Sequence, residues 1–195
     1  MSVWEIRNFL MNTVAWVGPA PETEFVPDFG VSFWQLFDTK APGQPLEWSV
    51  RPELVAFAPE GRKKLPPRAD VSPFTAAGLV VNEKVRTSLG EFLTQFGQLL
   101  EINVDGKTEY YYNVTNVVPC IDVERSEISA GFVDVPVFQE QLVPVEPSIF
   151  IEPVIHARIF VNDAAKSILE ERIAANKIRG MDFKQWGSSS DQKVA

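Results

Sequence analysis

Prolines divide this sequence into two parts that are expected to fold differently. Ten of the fifteen prolines lie in residues 1–77, in runs such as Pro42-Gly43-Gln44-Pro45. Because proline has no backbone N–H to donate, long helices and central strands are not expected there. Short apolar and aromatic runs between the prolines predict brief strands or packed loops, at residues 3–6, 31–37 and 54–57. The Trp-rich segment 33–48 is expected to cover part of the main core.

From residue 78 onwards the pattern changes to alternating strands and helices. Apolar residues at 79–81 predict a short strand, and Asn82 is a good N-cap for a helix. Apolar side chains then recur at helical spacing and predict a helix over 83–96 that ends before Gly97. Residues 99–104 and 109–118 predict a β-hairpin around the turn Asp105-Gly106, with Tyr110-Tyr111-Tyr112 on a half-buried strand.

The same order of elements returns near the C-terminus. Residues 158–161 predict a strand, Asn162 a cap, and the spacing of the following apolar residues a helix over 163–178. Gly180 is expected to stop this helix, and residues 181–183 predict a short strand. The repeated strand, cap and helix indicate either an internal duplication or the same local pattern arising twice.

These elements together predict an α+β fold with short strands and two main amphipathic helices, over 83–96 and 163–178. One domain over residues 1–186 is expected, and residues 1–77 form its irregular, proline-rich part. A chain of 195 residues can bury a substantial core without disulfides. The small polar residues 187–195 predict a disordered tail.

Side chains typical of catalysis are scarce. His156 is the single histidine and lies in an apolar run, which favours a structural role over a general base or metal ligand. Glu152 precedes it by four residues, but Pro153 argues against the helix that would bring both onto one metal. Cys120 has no second cysteine to pair with and is expected to be a buried small hydrophobe.

Sequence signatures of common enzyme classes are also missing. The chain contains no phosphate-binding loop, no dinucleotide fingerprint and no Gly-x-Ser-x-Gly turn. We therefore predict a protein without catalytic residues, metal or cofactor. Polar residues interrupt the apolar stretch at the N-terminus, so we expect neither a signal peptide nor a membrane span, and the default compartment is the cytoplasm.

Negative charge is concentrated in one segment. The chain carries a net charge of −8, and residues 121–152 account for −6 of it. A surface of this sign repels phosphate backbones, so nucleic acid is not an expected ligand. The segment also contains several prolines and is predicted to be a loop-rich, solvent-facing excursion. It is either a solvated acidic face or a recognition surface.

The strand–cap–helix segments carry a resemblance to a known family. Residues 78–85, residues 159–163 and Gly180-Met181-Asp182-Phe183 resemble immunity protein family 11 of bacterial polymorphic toxin systems. The tyrosine-containing hairpin at 99–118 and the opening residues 3–7 also fit its pattern. The likeness covers residues 78–186, whereas most of the proline-rich first third has no counterpart.

The resemblance implies an antidote that binds a cognate toxin and keeps it inactive in the cell that makes both, without catalytic residues of its own. Acidic side chains suit this role because many toxins have basic clefts. The candidate partner-binding residues are Asp122, Glu124, Glu127, Asp134 and Glu140. Two other functions stay open: a small enzyme that uses carboxylates with His156, and an adaptor that binds a basic protein.

Overall fold

The computed structural model describes residues 2–8, 13–19, 25–26, 31–32, 37, 41–48, 50–74, 78–155 and 157–186. It confirms the α+β class, with strands forming the larger part of the regular structure. Helices α1 (Glu83–Leu93) and α2 (Asp163–Asn176) pack on β-sheets. The predicted tail at 187–195 lies outside the described residues.

The strands are, in chain order, β1 (Val3–Arg7), β2 (Trp16–Gly18), β3 (Phe25–Val26), β4 (Val31–Ser32), β5 (Glu53–Phe57), β6 (Val71–Ser72), β7 (Leu79–Val81), β8 (Gly97–Val104), β9 (Lys107–Val114), β10 (Glu127–Ser129), β11 (Phe132–Val135), β12 (Ile149–Ile151), β13 (Ile159–Asn162) and β14 (Asp182–Trp186). One sheet has the antiparallel order β12-β13-β1-β14. A second sheet has the order β2-β5-β8-β9-β7-β6, in which β5 and β8 are parallel neighbours. The pairs β3–β4 and β10–β11 form separate hairpins.

The two predicted strand–cap–helix segments share one topology. Strands β7 and β8 both pair antiparallel with β9, so they run parallel to each other with α1 as the connection between them. Strands β13 and β14 both pair antiparallel with β1, and α2 connects them in the same way. The two segments therefore share the same strand–helix–strand connectivity as well as the same sequence pattern.

Period-two alternation places side chains on both faces of each sheet, and both faces are covered. In β13, Ile159 and Val161 join a cluster with the two helices, whereas Phe160 joins a second cluster on the opposite face. In β9, Tyr110 and Tyr112 face the helices, whereas Tyr111 enters a third cluster. The half-buried strand predicted for the three tyrosines is therefore wrong, because all three are buried.

The proline-rich N-terminal part supplies the cover over Tyr111. The rings of Phe37, Phe74 and Trp48 lie 4.9, 5.5 and 6.3 Å from the Tyr111 ring. Leu46 packs against the same cluster. The prediction that the Trp-rich segment covers part of the core is confirmed for its described residues.

Both helices begin at the predicted caps and end earlier than predicted. The side-chain oxygens of Asn82 and Asn162 accept hydrogen bonds from Val85 N at 3.2 Å and Ala165 N at 2.9 Å. Helix α1 stops at Leu93, before the expected end at residue 96, because the chain turns there into β8. Helix α2 is closed by Lys177 in the left-handed conformation and not by Gly180.

The acidic segment 121–152 is less exposed than its composition indicates. Ile121, Phe138 and Val143 are buried in the second cluster, where the Phe138 ring contacts Phe160 at 5.3 Å. Strands β10 and β11 lie in this segment, as does part of the four-stranded sheet, β12. The prediction of a loop-rich, solvent-facing excursion is therefore wrong for these buried residues and for the three strands.

Asp70 links the start of α1 to the end of α2. Its carboxylate accepts hydrogen bonds from Asn82 Nδ2 at 2.9 Å, from Lys84 Nζ at 3.0 Å and from the Arg179 amide at 2.9 Å. Lys84 Nζ also donates to the carbonyl of Lys177 at 2.7 Å. Burial by itself would raise the pKa of Asp70, but these hydrogen bonds outweigh it and lower that pKa.

Replacing Asn162 should cost more stability than replacing Asn82. Asn162→Ala removes the cap and also leaves two loop carbonyls without a donor, so we expect a loss of about 2–4 kcal/mol. Asn82→Ala should lose about 1–2 kcal/mol, because it removes the cap and one of the three donors to the Asp70 carboxylate. Urea denaturation measures both losses. Equal losses for the two alanine variants would contradict this ranking.

Lowering the pH should weaken the fold through Asp70. Because its pKa is lower in the folded state, its stabilisation is complete above the unfolded pKa and is lost as the pH falls through the folded pKa. We expect the free energy of unfolding to fall between about pH 5 and pH 2 more steeply in the native sequence than in Asp70→Asn. Urea denaturation at successive pH values tests this, and parallel curves would show that Asp70 contributes nothing.

Candidate functional site

The hairpin of β10 and β11 stands apart from both large sheets. Its two-residue turn, Ala130-Gly131, has φ angles of 49° and 84°, the left-handed geometry that suits a tight hairpin turn. Ser129 and Phe132 are the first pair of residues beyond the turn. Asp134 is the extra residue of a β-bulge, because Glu127 pairs with Val135 and Ile128 with Val133.

Hydrogen bonds hold the base of this hairpin to the core. Ser126 Oγ donates to the carbonyl of Asp122 at 2.6 Å and accepts from Val137 N at 3.0 Å. The amide of Asp122 donates to the carbonyl of Val137 at 2.8 Å. Val133 is buried, so one side chain near the tip also packs inward. The hairpin is thus fixed at its base while its tip projects.

Several apolar side chains on and beside the hairpin face solvent. Phe132 is 74% exposed, Ile128 51% and Val123 42%. Strand β11 lies against the 3₁₀ turn at 153–155, whose Val154 is also half exposed. Single exposed apolar residues are common, but several within one short segment are typical of a protein-binding surface. Ile128 pairs with the buried Val133 and Phe132 pairs with Ser129, so Ile128 and Phe132 lie on opposite faces of the hairpin.

Three of the five predicted acidic residues lie in the same segment as these apolar side chains. Glu124, Glu127 and Asp134 are exposed, and none forms an ion pair within the part of the chain that the structure describes. Their carboxylates are therefore available to a cationic partner. We call the surface formed by residues 123–135 the acidic hairpin surface.

The other two predicted residues have local structural contacts. Asp122 is half-buried, and its Oδ1 accepts a hydrogen bond from the Arg125 amide at 3.2 Å, which closes a turn before β10. Glu140 is half-buried and begins a 3₁₀ turn, Glu140–Leu142. The structure thus places Asp122 at the base of the hairpin and Glu140 beyond it.

Cys120 and Glu152 occupy the core beneath the hairpin. Cys120 is fully buried, as predicted, and burial together with the neighbouring Glu152 carboxylate raises the pKa of its thiol to about 12. Glu152 is 2% exposed and accepts hydrogen bonds from Val154 N at 2.6 Å and Ile121 N at 3.4 Å. A protonated, enclosed thiol is not a nucleophile. The single histidine, His156, lies outside the described residues.

A shallow groove of about 370 Å³ runs between α2 and β14. The side chain of Lys166 lies in this groove. Its Nζ is 4.3 Å from the centre of the Trp4 ring and 2.6 Å from Glu170 Oε1. Among the described residues, no three His, Cys, Asp or Glu side chains come close enough to share a metal ion. Nor does any helix in those residues combine the length and apolar character needed to cross a bilayer.

Comparison with known proteins leaves this geometry as the main guide to function. The chain matches no protein-family model and no curated protein sequence. The likeness to immunity protein family 11 stays a prediction.

Substitutions at Phe132 and at its neighbour Val133 should have very different effects on the free energy of unfolding. Phe132→Ser should change the free energy of unfolding by less than about 0.5 kcal/mol, because the ring is solvated in the folded state. Val133→Ser should cost about 1–3 kcal/mol, because it leaves a hydroxyl in an apolar site. Thermal and urea unfolding measure the difference. A large loss from Phe132→Ser would mean that the ring belongs to the core.

Proposed function

We propose that this protein is an antidote that binds and neutralises a cognate bacterial toxin through the acidic hairpin surface. The observation that carries the proposal is the exposed Phe132 on a hairpin segment whose carboxylates Glu124, Glu127 and Asp134 are also exposed. In this proposal residues 1–186 act as one domain in the cytoplasm, where the toxin would be made. Supporting it further is the resemblance of the strand–cap–helix segments to immunity protein family 11.

The two kinds of side chain would contribute in different ways. Aromatic side chains that enter a pocket on the partner commonly supply much of the binding energy of an interface. Carboxylates around them speed the encounter with a basic partner and fix its orientation, and desolvated charge pairs add affinity. The partner expected from this chemistry has a basic surface with an apolar depression that accepts Phe132.

The rigidity of the surface supports this use. A hairpin fixed at its base by the Ser126 and Val137 hydrogen bonds loses little conformational freedom on binding. Asp122 would then act indirectly, because its contacts shape the turn before β10. The acids that meet the partner would be those on the hairpin itself.

The test compares two variants of equal net charge. Glu124→Gln, Glu127→Gln and Asp134→Asn together remove three charges from the hairpin, and Glu60→Gln, Glu91→Gln and Glu171→Gln remove three exposed charges elsewhere. With the toxin encoded beside this gene, we expect the hairpin variant to lose about tenfold in affinity at low salt and to show a weaker salt dependence. The control should do neither.

Cell survival on co-expression with that toxin separates binding from neutralisation. The hairpin variant and Phe132→Ser should fail to protect, and the control variant should protect fully. Equal affinities for the hairpin and control variants would reject the acidic hairpin surface as the binding site. Binding without protection would indicate an adaptor in place of an antidote.

A further inference from the structure

Three cationic side chains meet around one buried indole on the four-stranded sheet. Lys184 Nζ lies 3.6 Å from the centre of the Trp186 ring, and the guanidinium carbons of Arg158 and Arg7 lie 5.5 and 5.8 Å from it. They come from β14, from the residue before β13 and from the end of β1. We call these three residues with Trp186 the cationic cluster.

The cationic cluster lies on the face of the sheet that turns away from α2. Val3 and Trp186 pack in the second core cluster on that face, whereas Trp4 and Phe183 contact Lys166 of α2 on the other. Neither helix therefore packs against the cationic cluster. Its three cationic side chains are each partly exposed.

Among the described residues, one carboxylate forms an ion pair with these three cations. Glu5 is buried and binds Arg7, with Nε 2.9 Å from Oε1, and it accepts a hydrogen bond from Trp186 Nε1 at 2.8 Å. Arg158 and Lys184 have no carboxylate within 4 Å among the residues that the structure describes. Within that part of the chain, Arg158 and Lys184 thus form no ion pair, although the protein as a whole has a net charge of −8.

The pKa of Lys184 depends on its burial and on the charged groups around it. Burial, and then the charges of Arg7 and Arg158, lower the pKa of Lys184, although Glu5 acts in the opposite direction. Cation–π contact with Trp186 explains why one cation sits on the ring. It does not require three, and an anion placed among them would relieve the repulsion.

The cationic cluster adjoins the acidic hairpin surface. Arg158 Nη1 donates to the carbonyl of Asp134 at 3.4 Å, and β11 lies against the 3₁₀ turn Pro153–Ile155 that precedes Arg158. A protein that covers the hairpin would therefore reach these cations as well.

We propose that the cationic cluster binds a carboxylate side chain of the partner protein, beside the basic surface that meets the hairpin. The assignment of this carboxylate to the partner rests on the proposed function. Arg158 and Lys184 would donate to its oxygens as charge-assisted hydrogen bonds, while Arg7 stays paired with Glu5. The partner would then carry both signs of charge, and a uniformly basic protein would be rejected by the exposed cations.

The experiment uses the full chain labelled with ¹⁵N and follows the indole N–H signal of Trp186, which lies inside the cluster. A hexaglutamate peptide is the carboxylate probe, and inorganic phosphate is the alternative oxyanion. We expect hexaglutamate to shift the Trp186 signal, with affinity reduced about fivefold in Lys184→Gln and in Arg158→Gln. Lys184→Arg should retain binding. Lys63→Gln with Lys64→Gln, in an exposed basic loop, is the control and should have no effect on the Trp186 shift.

Three outcomes would overturn the proposal. These are no shift of the Trp186 signal by hexaglutamate, an undiminished shift in both glutamine variants, and a response to phosphate alone. The spectrum of each variant also shows whether it is folded. The hairpin variant described above should still bind hexaglutamate, so a failure of the toxin experiment and a failure of this one are distinguishable.

Discussion

The buried side-chain amide of Asn162 holds three parts of the molecule together. Its oxygen accepts from Ala165 N at the start of α2 and from Ser148 N, while its nitrogen donates to the carbonyls of Pro144 and Glu146, both at 2.7 Å. One residue therefore caps a helix and fixes the loop that leads into β12. The same loop follows Val143, which packs in the second core cluster with Ile121 and Phe138. The packing next to the acidic hairpin surface therefore depends on the hydrogen bonds of Asn162.

Local features of the fold could be predicted from the sequence because they depend on near neighbours. The two asparagine caps and the Asp105-Gly106 turn follow from chemistry within a few residues, and the structure confirms them. Long-range pairing could not be predicted, since β1 lies between β13 and β14 through backbone hydrogen bonds that any strand can make. The burial of Tyr111 was missed for the same reason, because its cover comes from distant residues such as Phe37.

The candidate site, too, could be predicted from the sequence only in part. Composition located the acidic segment, but it could not distinguish Asp122, whose carboxylate closes a turn, from the exposed Glu124. The exposure of Phe132 was missed because phenylalanine is usually a core residue. Its signal was present in Ala130-Gly131, a pair able to adopt the tight turn between two short strands. The cationic cluster has no local signal, since its members come from three distant segments.

The place of β1 in the sheet has a consequence for biosynthesis. This strand is synthesised long before its partners, which begin at residues 159 and 182. Until those residues have been made, the N–H and C=O groups of β1 have no native strand beside them, so they are open to pairing with other chains. The second strand–helix–strand unit can close only after β14 has been synthesised, and a chaperone that shields β1 until then would therefore raise the yield of folded protein.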